Sequence, residues 1–319
     1  MLRATSRTFA LSIEQLPGVP RRCIAVAYLL LRVSDYIEDN EVMSATAKAE
    51  LLRAWATVLE RGGPVEALVA VLPAAGADDP EARLADQAGK LLGELRRLPE
   101  ELQEIVVCYV TETTRGMARW QERGPFLLSE VDLDEYMHYV AGIVGHLITE
   151  VFAWHSPSIA KRQDDLMPLA HEYGLALQTV NVIRGLRSDF ERGWVFVPDS
   201  LCAKEGLSQH ELFQSERRAE AMQVVTNLAR KAEGHLESGL RYVAALPRRH
   251  HQIRLACMWP LLFAARTLAV SRHDPAVLET EVKISRAQVR EIVLRSRFLG
   301  WSNAWFEGYY WQLMKAPGS

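Results

Sequence analysis

Apolar residues recur at three- and four-residue spacings along almost the whole chain, and alternating β-branched runs are nearly absent. That period belongs to helices that bury one face, so the expected fold is all-α, helices packed on helices without a sheet. Turn and helix-start signals interrupt the pattern at Pro17-Gly18, Gly62-Gly63-Pro64, Pro73 to Pro80, Gly124-Pro125, Ser156-Pro157, Pro198 and Pro247. They separate helices rather than domains. The Ala/Gly/Asp/Pro run from Ala74 to Pro80 is the best linker candidate, but it is short and its flanks read alike. A single domain over residues 1–319 is therefore expected, and 49% hydrophobic residues suffice for a large core.

The 37 basic residues nearly balance the 40 acidic ones, leaving a formal net charge of −3. No global field draws such a chain to nucleic acid or anionic lipid, so an anionic ligand must be met by a local cluster. Cys23, Cys108, Cys202 and Cys257 lie far apart, without the spacing of a zinc site or a disulfide framework, and read as reduced core residues of a cytoplasmic protein. The apolar stretches Cys23 to Leu31 and Cys257 to Ala269 read as too short or too interrupted to span a bilayer, and no signal-peptide pattern precedes the first helix. Monomer and homodimer both remain open.

Three constellations could carry chemistry. Asp35, Glu38 and Asp39 close an apolar helical run and fall at i, i+3 and i+4, so three carboxylates share one face. They also sit at the negative end of the helix dipole, which calls for a cation. Mg²⁺ suits the position because it takes hard oxygen ligands, keeps waters and is shared with phosphates. Taken alone, the five residues 35–39 also read as a solvated acidic helix end. On a helix from about Asp165 to Glu191, Gln178, Asn181, Gly185 and Asp189 form one stripe, flanked by Arg184 and Arg187. A salt-bridged helix end explains that stripe as simply. A third helix, Asp134 to Trp154, holds Tyr136, His138, Tyr139, Gly142, Gly145 and His146. Each helical glycine costs about 1 kcal/mol relative to alanine, so a packing or ligand-clearance reason is expected.

Together these blocks resemble the squalene/phytoene synthase family, and within it the squalene synthases. Ser6-Arg7-Thr8-Phe9 is similar to the family's Ser-Arg-Ser/Thr-Phe entry segment, and Tyr28 to Arg32 followed by Asp35, Glu38 and Asp39 to its first DxxED motif. Tyr136 to Gly145 resembles the run Tyr-Cys-His-Tyr-Val-Ala-Gly-Leu-Val-Gly. Gln178, Asn181 to Arg184 and Asp189 resemble the second acidic helix, followed by Val195 to Pro198, Cys257 to Pro260 and Val282 to Ile284. The resemblance implies an isoprenoid-synthase helical bundle with a central cavity that binds an allylic prenyl diphosphate. It implies Mg²⁺ held by Asp35, Glu38, Asp39, Asn181 and Asp189, and diphosphate held by Ser6, Arg7, Arg32, Gln178 and Arg184. Tyr139 would be the acid/base and cation-facing residue, acting with Asp35 and Asp39. Phe9, Tyr28, Tyr136, Gly142, Gly145, Gly185, Cys257 and Trp259 would line the cavity.

The chain departs from the family where Gly185 replaces the first Asp of the second motif and Ser188 replaces an acidic residue. Met258 and Trp259 also stand where squalene synthases have smaller residues. A site with one damaged metal motif and an extra Trp is expected to hold one diphosphate and a flat acceptor. The leading expectation is thus transfer of a prenyl cation, dimethylallyl for example, to an aromatic carbon of a carbazole- or indole-like acceptor. The alternative is head-to-head condensation of two farnesyl diphosphates to presqualene diphosphate and squalene, which would require NADPH. A non-catalytic prenyl-diphosphate-binding homologue is the third reading. The aromatic stripe Trp301, Trp305 and Tyr309 could line a flat-ligand slot but reads more simply as core, and Arg248 to His251 reads as a solvated turn.

Overall fold

The computed structural model describes residues 1–72 and 79–315, so most of the expected linker, at 73–78, lies outside the described residues. Among the described residues the regular elements are all helical, and extended backbone pairs only in an isolated bridge between Phe126 and Val195. The principal helices in chain order are α1 (Gly18–Glu38), α2 (Ala45–Arg61), α3 (Glu100–Arg123), α4 (Glu130–Met137), α5 (Ile143–His155), α6 (Gln163–Glu191), α7 (Arg218–Ala245), α8 (His251–Ser271), α9 (Arg286–Leu299) and α10 (Asn303–Leu313). The punctuation residues act as expected. Pro17 opens α1, while Gly62 and Gly124 end α2 and α3 at φ 72° and 102°, where a side chain would be strained.

The structure forms two compact units: Met1–Gly124 with Ile143–Met167, and Pro125–Gly142 with Pro168–Ser319. In the first, α3 is the hub against which α1, α2 and α5 pack. The buried stripe of α1 is Cys23, Ala27, Leu30, Val33, Ser34 and Ile37, the three- and four-residue spacing that places side chains on one face. Its one polar member, Ser34, is satisfied by the Thr114 hydroxyl at 2.7 Å, as a buried hydroxyl requires.

In the second unit α8 is central, contacted by α7, α9 and α10. By length and composition α8 could cross a membrane, contrary to the expectation that this stretch is too interrupted, but most of it is buried inside the protein. Its Arg254 is fully buried and donates to the carbonyl oxygens of Val243 and Leu246 and to Asn303 Oδ1, each at 2.8 Å. The guanidinium thus satisfies carbonyls that the end of α7 leaves unpaired and meets the negative end of that helix dipole.

Two expectations need correction. Cys23, Cys202 and Cys257 are buried free thiols, but Cys108 is exposed on α3: its position falls on the outward face of an amphipathic helix. The helix expected over Asp134 to Trp154 is divided into α4, a π-helical turn over His138–Gly142, and α5. A π turn inserts a residue into the helical ladder and re-aims the side chains that follow.

Candidate active site

Each group of expected site residues is placed by its own helix. At the C-terminal end of α1, Asp35 and Glu38 are half-buried and Asp39, the C-cap, is exposed. Burial pushes the Asp35 carboxyl up to about 6; Arg32 opposes the shift, while Asp39 and Glu81 add to it. Burial pushes Glu38 up to about 8, aided by Asp39 and Asp35 and opposed in part by Lys48. Two carboxylates held this far above their usual range are short of positive charge. Arg32 donates to Asp35 at 2.6 Å and also pairs with Glu81, so the guanidinium expected to meet diphosphate is here shared between two carboxylates. Lys48 donates to the Glu38 carbonyl at 2.8 Å, at the orphan end of the helix. Among the described residues no three His, Cys, Asp or Glu side chains form a ready-made metal cage. Mg²⁺ does not need one, since it commonly uses one or two carboxylates with water and substrate phosphate completing its shell.

The other expected members of the first unit lie at its N-terminal end. Ser6 caps the helix Arg7–Gln15, its hydroxyl accepting from the Phe9 amide at 3.2 Å. The Arg7 side chain lies outside the described residues. Phe9 and Tyr28 bring their rings to 6.1 Å, and burial raises the Tyr28 phenol above its usual range.

In the second unit, α6 carries Gln178, Asn181, Gly185 and Asp189 along one face, as their spacing predicts. Asp189 accepts from Arg192 at 2.5 Å, and Arg184 pairs with Glu281 at 3.0 Å. A Cβ added at Gly185 would lie 3.3 Å from an Asp189 carboxylate oxygen. The missing acidic side chain of the second motif therefore belongs beside Asp189.

The π turn is held against α6 at very short range. A Cβ on Gly174 would come within 2.3 Å of the Ala141 carbonyl oxygen, and one on Gly142 within 2.6 Å of the His171 ring. The clearance expected at Gly142 is thus filled by α6. His138 Nδ1 lies 2.9 Å from His171 Nε2, and the Tyr139 ring packs edge-on against His138 at 4.9 Å. Tyr136 stacks on Phe196 at 4.7 Å, and Trp194 stacks on Phe196 at 5.3 Å.

Trp259, expected to line a slot, is 2% exposed, and its indole N–H donates to the Ser296 hydroxyl at 2.8 Å. Cys257 is buried beside it in α8, its carbonyl accepting from Tyr173 at 2.6 Å. Ser296→Ala would strand the buried indole N–H, which costs about 1 kcal/mol and lowers the thermal midpoint by about 2 °C; calorimetry measures it. The structure gives Gly145 a backbone role, its carbonyl accepting from Thr149 at 2.9 Å. Glu81, Lys48, His171 and Gly174 belong to no motif that the sequence offers. Only Gly174, a glycine deep inside a helical pattern, carries a visible signal.

The family profile for squalene/phytoene synthase matches residues 2–288, nine-tenths of the chain. The chain belongs to the squalene/phytoene synthase family. Among its relatives, the squalene synthase of Schizosaccharomyces pombe is 28% identical over 93% of this chain and 64% of the relative. That of Eremothecium gossypii is 27% identical over 99% of this chain and 70% of the relative, and that of Rattus norvegicus 27% identical over 92% and 67%. The chain therefore spans slightly less than two thirds of the Schizosaccharomyces pombe protein. A solved complex of TcSQS with a ligand superposes with a TM-score of 0.85 at 24% identity, covering 98% of this chain and 89% of that one. It shares the all-α fold of this family member.

These relatives overturn the leading expectation of an aromatic acceptor, because matches over nearly the whole chain are squalene synthases. The Trp259 ring is buried in the core, whereas Trp301, expected in the core, is instead an exposed turn residue before the α10 cap Ser302, stacked on His251 at 4.1 Å. Only Trp305 and Tyr309 remain as a stacked pair on α10, at 4.9 Å.

Proposed function

We propose that this family member condenses two farnesyl diphosphates head to head, giving presqualene diphosphate and then squalene. The observation that carries the reading is the squalene synthase relatives spanning 92–99% of the chain, on a chain whose first acidic motif is complete. The donor set at the end of α1 fits Mg²⁺: three carboxylates on one helical face, two of them raised by burial and mutual repulsion. Asp35, Glu38 and Asp39 are the residues at the end of α1 that would hold it, and Asn181 and Asp189 are the candidate ligands on α6. When bound, Mg²⁺ neutralises diphosphate and favours loss of that leaving group.

The chain's own residues do the rest. Arg184 and, once released from its carboxylates, Arg32 donate charge-assisted hydrogen bonds to diphosphate oxygens. Tyr139 sits on the π turn with its ring facing His138, and its phenol oxygen is the site assigned to proton transfer. The first condensation joins two C15 units and releases one diphosphate and one proton. The second step, a reductive rearrangement of presqualene diphosphate, releases the remaining diphosphate and takes up a hydride, for which NADPH is the donor. The carbocations between these steps survive only where water is excluded.

The test is product analysis after incubation with farnesyl diphosphate and Mg²⁺. Squalene is expected with NADPH, and presqualene diphosphate accumulates without it. Diphosphate release with no C30 product in either condition would sink the reading. Gly185→Asp, which sets a second carboxylate beside Asp189, is expected to leave the product unchanged and not to raise kcat; a large rate increase would mean that the native site is catalytically incomplete.

A further inference from the structure

We infer that α9 and the turn after it form a docking face for an anionic membrane surface. The packed side of α9 is defined by Ile292 and Ser296, both buried. At 100° per residue, Arg286, Arg290, Leu294, Arg297 and Phe298 fall within an arc of about 120° on the opposite side. A surface helix normally turns polar side chains outward. Here Phe298 is 72% and Leu294 60% exposed, and Trp301 follows in the next turn at 52%.

The charge beside these apolar side chains selects the occupant. Residues 286–301 hold four arginines against a single acidic residue, Glu291, in a chain whose net charge is −3. Arg295 pairs with Glu291 at 2.9 Å, whereas Arg286, Arg290 and Arg297 have no ion-pair partner among the described residues. The result is a local positive field with no internal use. An isologous contact of this face with a second copy would set arginine against arginine, which disfavours a dimer here. A lipid interface meets both demands: phenylalanine, leucine and tryptophan enter the headgroup region while arginine side chains reach its phosphates and carboxylates. Such arginines each strengthen attachment to phosphatidylserine-rich surfaces by about fivefold.

Vesicle co-sedimentation of the full chain tests this independently of its catalytic activity. The chain is expected to pellet with phosphatidylcholine vesicles containing about one-third phosphatidylserine, and at least about 100-fold less with phosphatidylcholine alone. The triple variant Arg286→Gln/Arg290→Gln/Arg297→Gln should weaken attachment about 100-fold. Leu294→Glu/Phe298→Glu should abolish it, with an unchanged thermal midpoint confirming that these outward positions leave the fold intact. Failure to pellet with anionic vesicles overturns the inference and leaves the face to a protein partner. Equal pelleting with both lipids, or undiminished pelleting of either variant, overturns it as well.

Discussion

Glu38→Gln is expected to slow the proposed squalene formation by about 10²–10³-fold, the scale of losing a preorganised electrostatic group, while making the metal-free protein more resistant to heat at pH 8. The opposite signs share one cause. Burial, then Asp39 and Asp35, hold the Glu38 carboxyl at about 8, so its ionised form is disfavoured in the folded chain. A carboxyl raised by folding contributes its full stability below the unfolded value, near 4.5, and loses that contribution as pH rises through the folded value. The metal-free wild-type midpoint should therefore fall between pH 5 and pH 8, with Asp35, held at about 6, adding to the lower part of that window. Glutamine keeps the shape without the titration and should raise the pH 8 midpoint by about 2–4 °C. Mg²⁺ should raise the midpoint of the wild type more than that of the variant, because only a ligand of the native state adds stability through binding. Calorimetry across pH with and without Mg²⁺, alongside squalene yield, reads every arm. A variant with full activity, or a wild-type midpoint that climbs across this window, would remove the carboxylate from the proposed role.

The α1 stripe and the caps at Pro17, Gly62 and Gly124 follow from local rules, and they were legible because helix period and turn chemistry act over a few residues. The i, i+3, i+4 cluster was legible for the same reason. The fate of Trp259 was not, because burial depends on α9 bringing Ser296 to its indole across 37 positions of sequence. Glu81 is similarly distant from Arg32, and His171 from His138. The acceptor expectation failed at this long-range level. It leaned on Trp259 as a wall of the site, a residue that packing buries against α9, and the squalene synthase relatives overturn it.

Gly174→Ala is expected to be the more damaging of two superficially equivalent substitutions at the π turn. The new methyl would meet backbone, the Ala141 carbonyl oxygen at 2.3 Å, its carbon at 2.7 Å and Gly142 Cα at 3.0 Å. None of these can rotate away, so α6 and the turn must separate. Overpacking of this kind costs about 3 kcal/mol, offset by about 1 kcal/mol of better helix propensity. The remaining loss lowers the thermal midpoint by about 4 °C. At Gly142 the methyl would instead meet side chains, His171 at 2.6 Å and Leu175 Cδ1 at 3.0 Å. An imidazole can swing aside at the loss of its contact with His138, so Gly142→Ala should be milder. The pair is separated by rescue: adding His171→Ala should recover much of the loss in Gly142→Ala and none of that in Gly174→Ala, since coupling appears only between groups that touch. Equal destabilisation by both glycine substitutions, with equal response to His171→Ala, would mean that the turn does not lie against α6 in the register described.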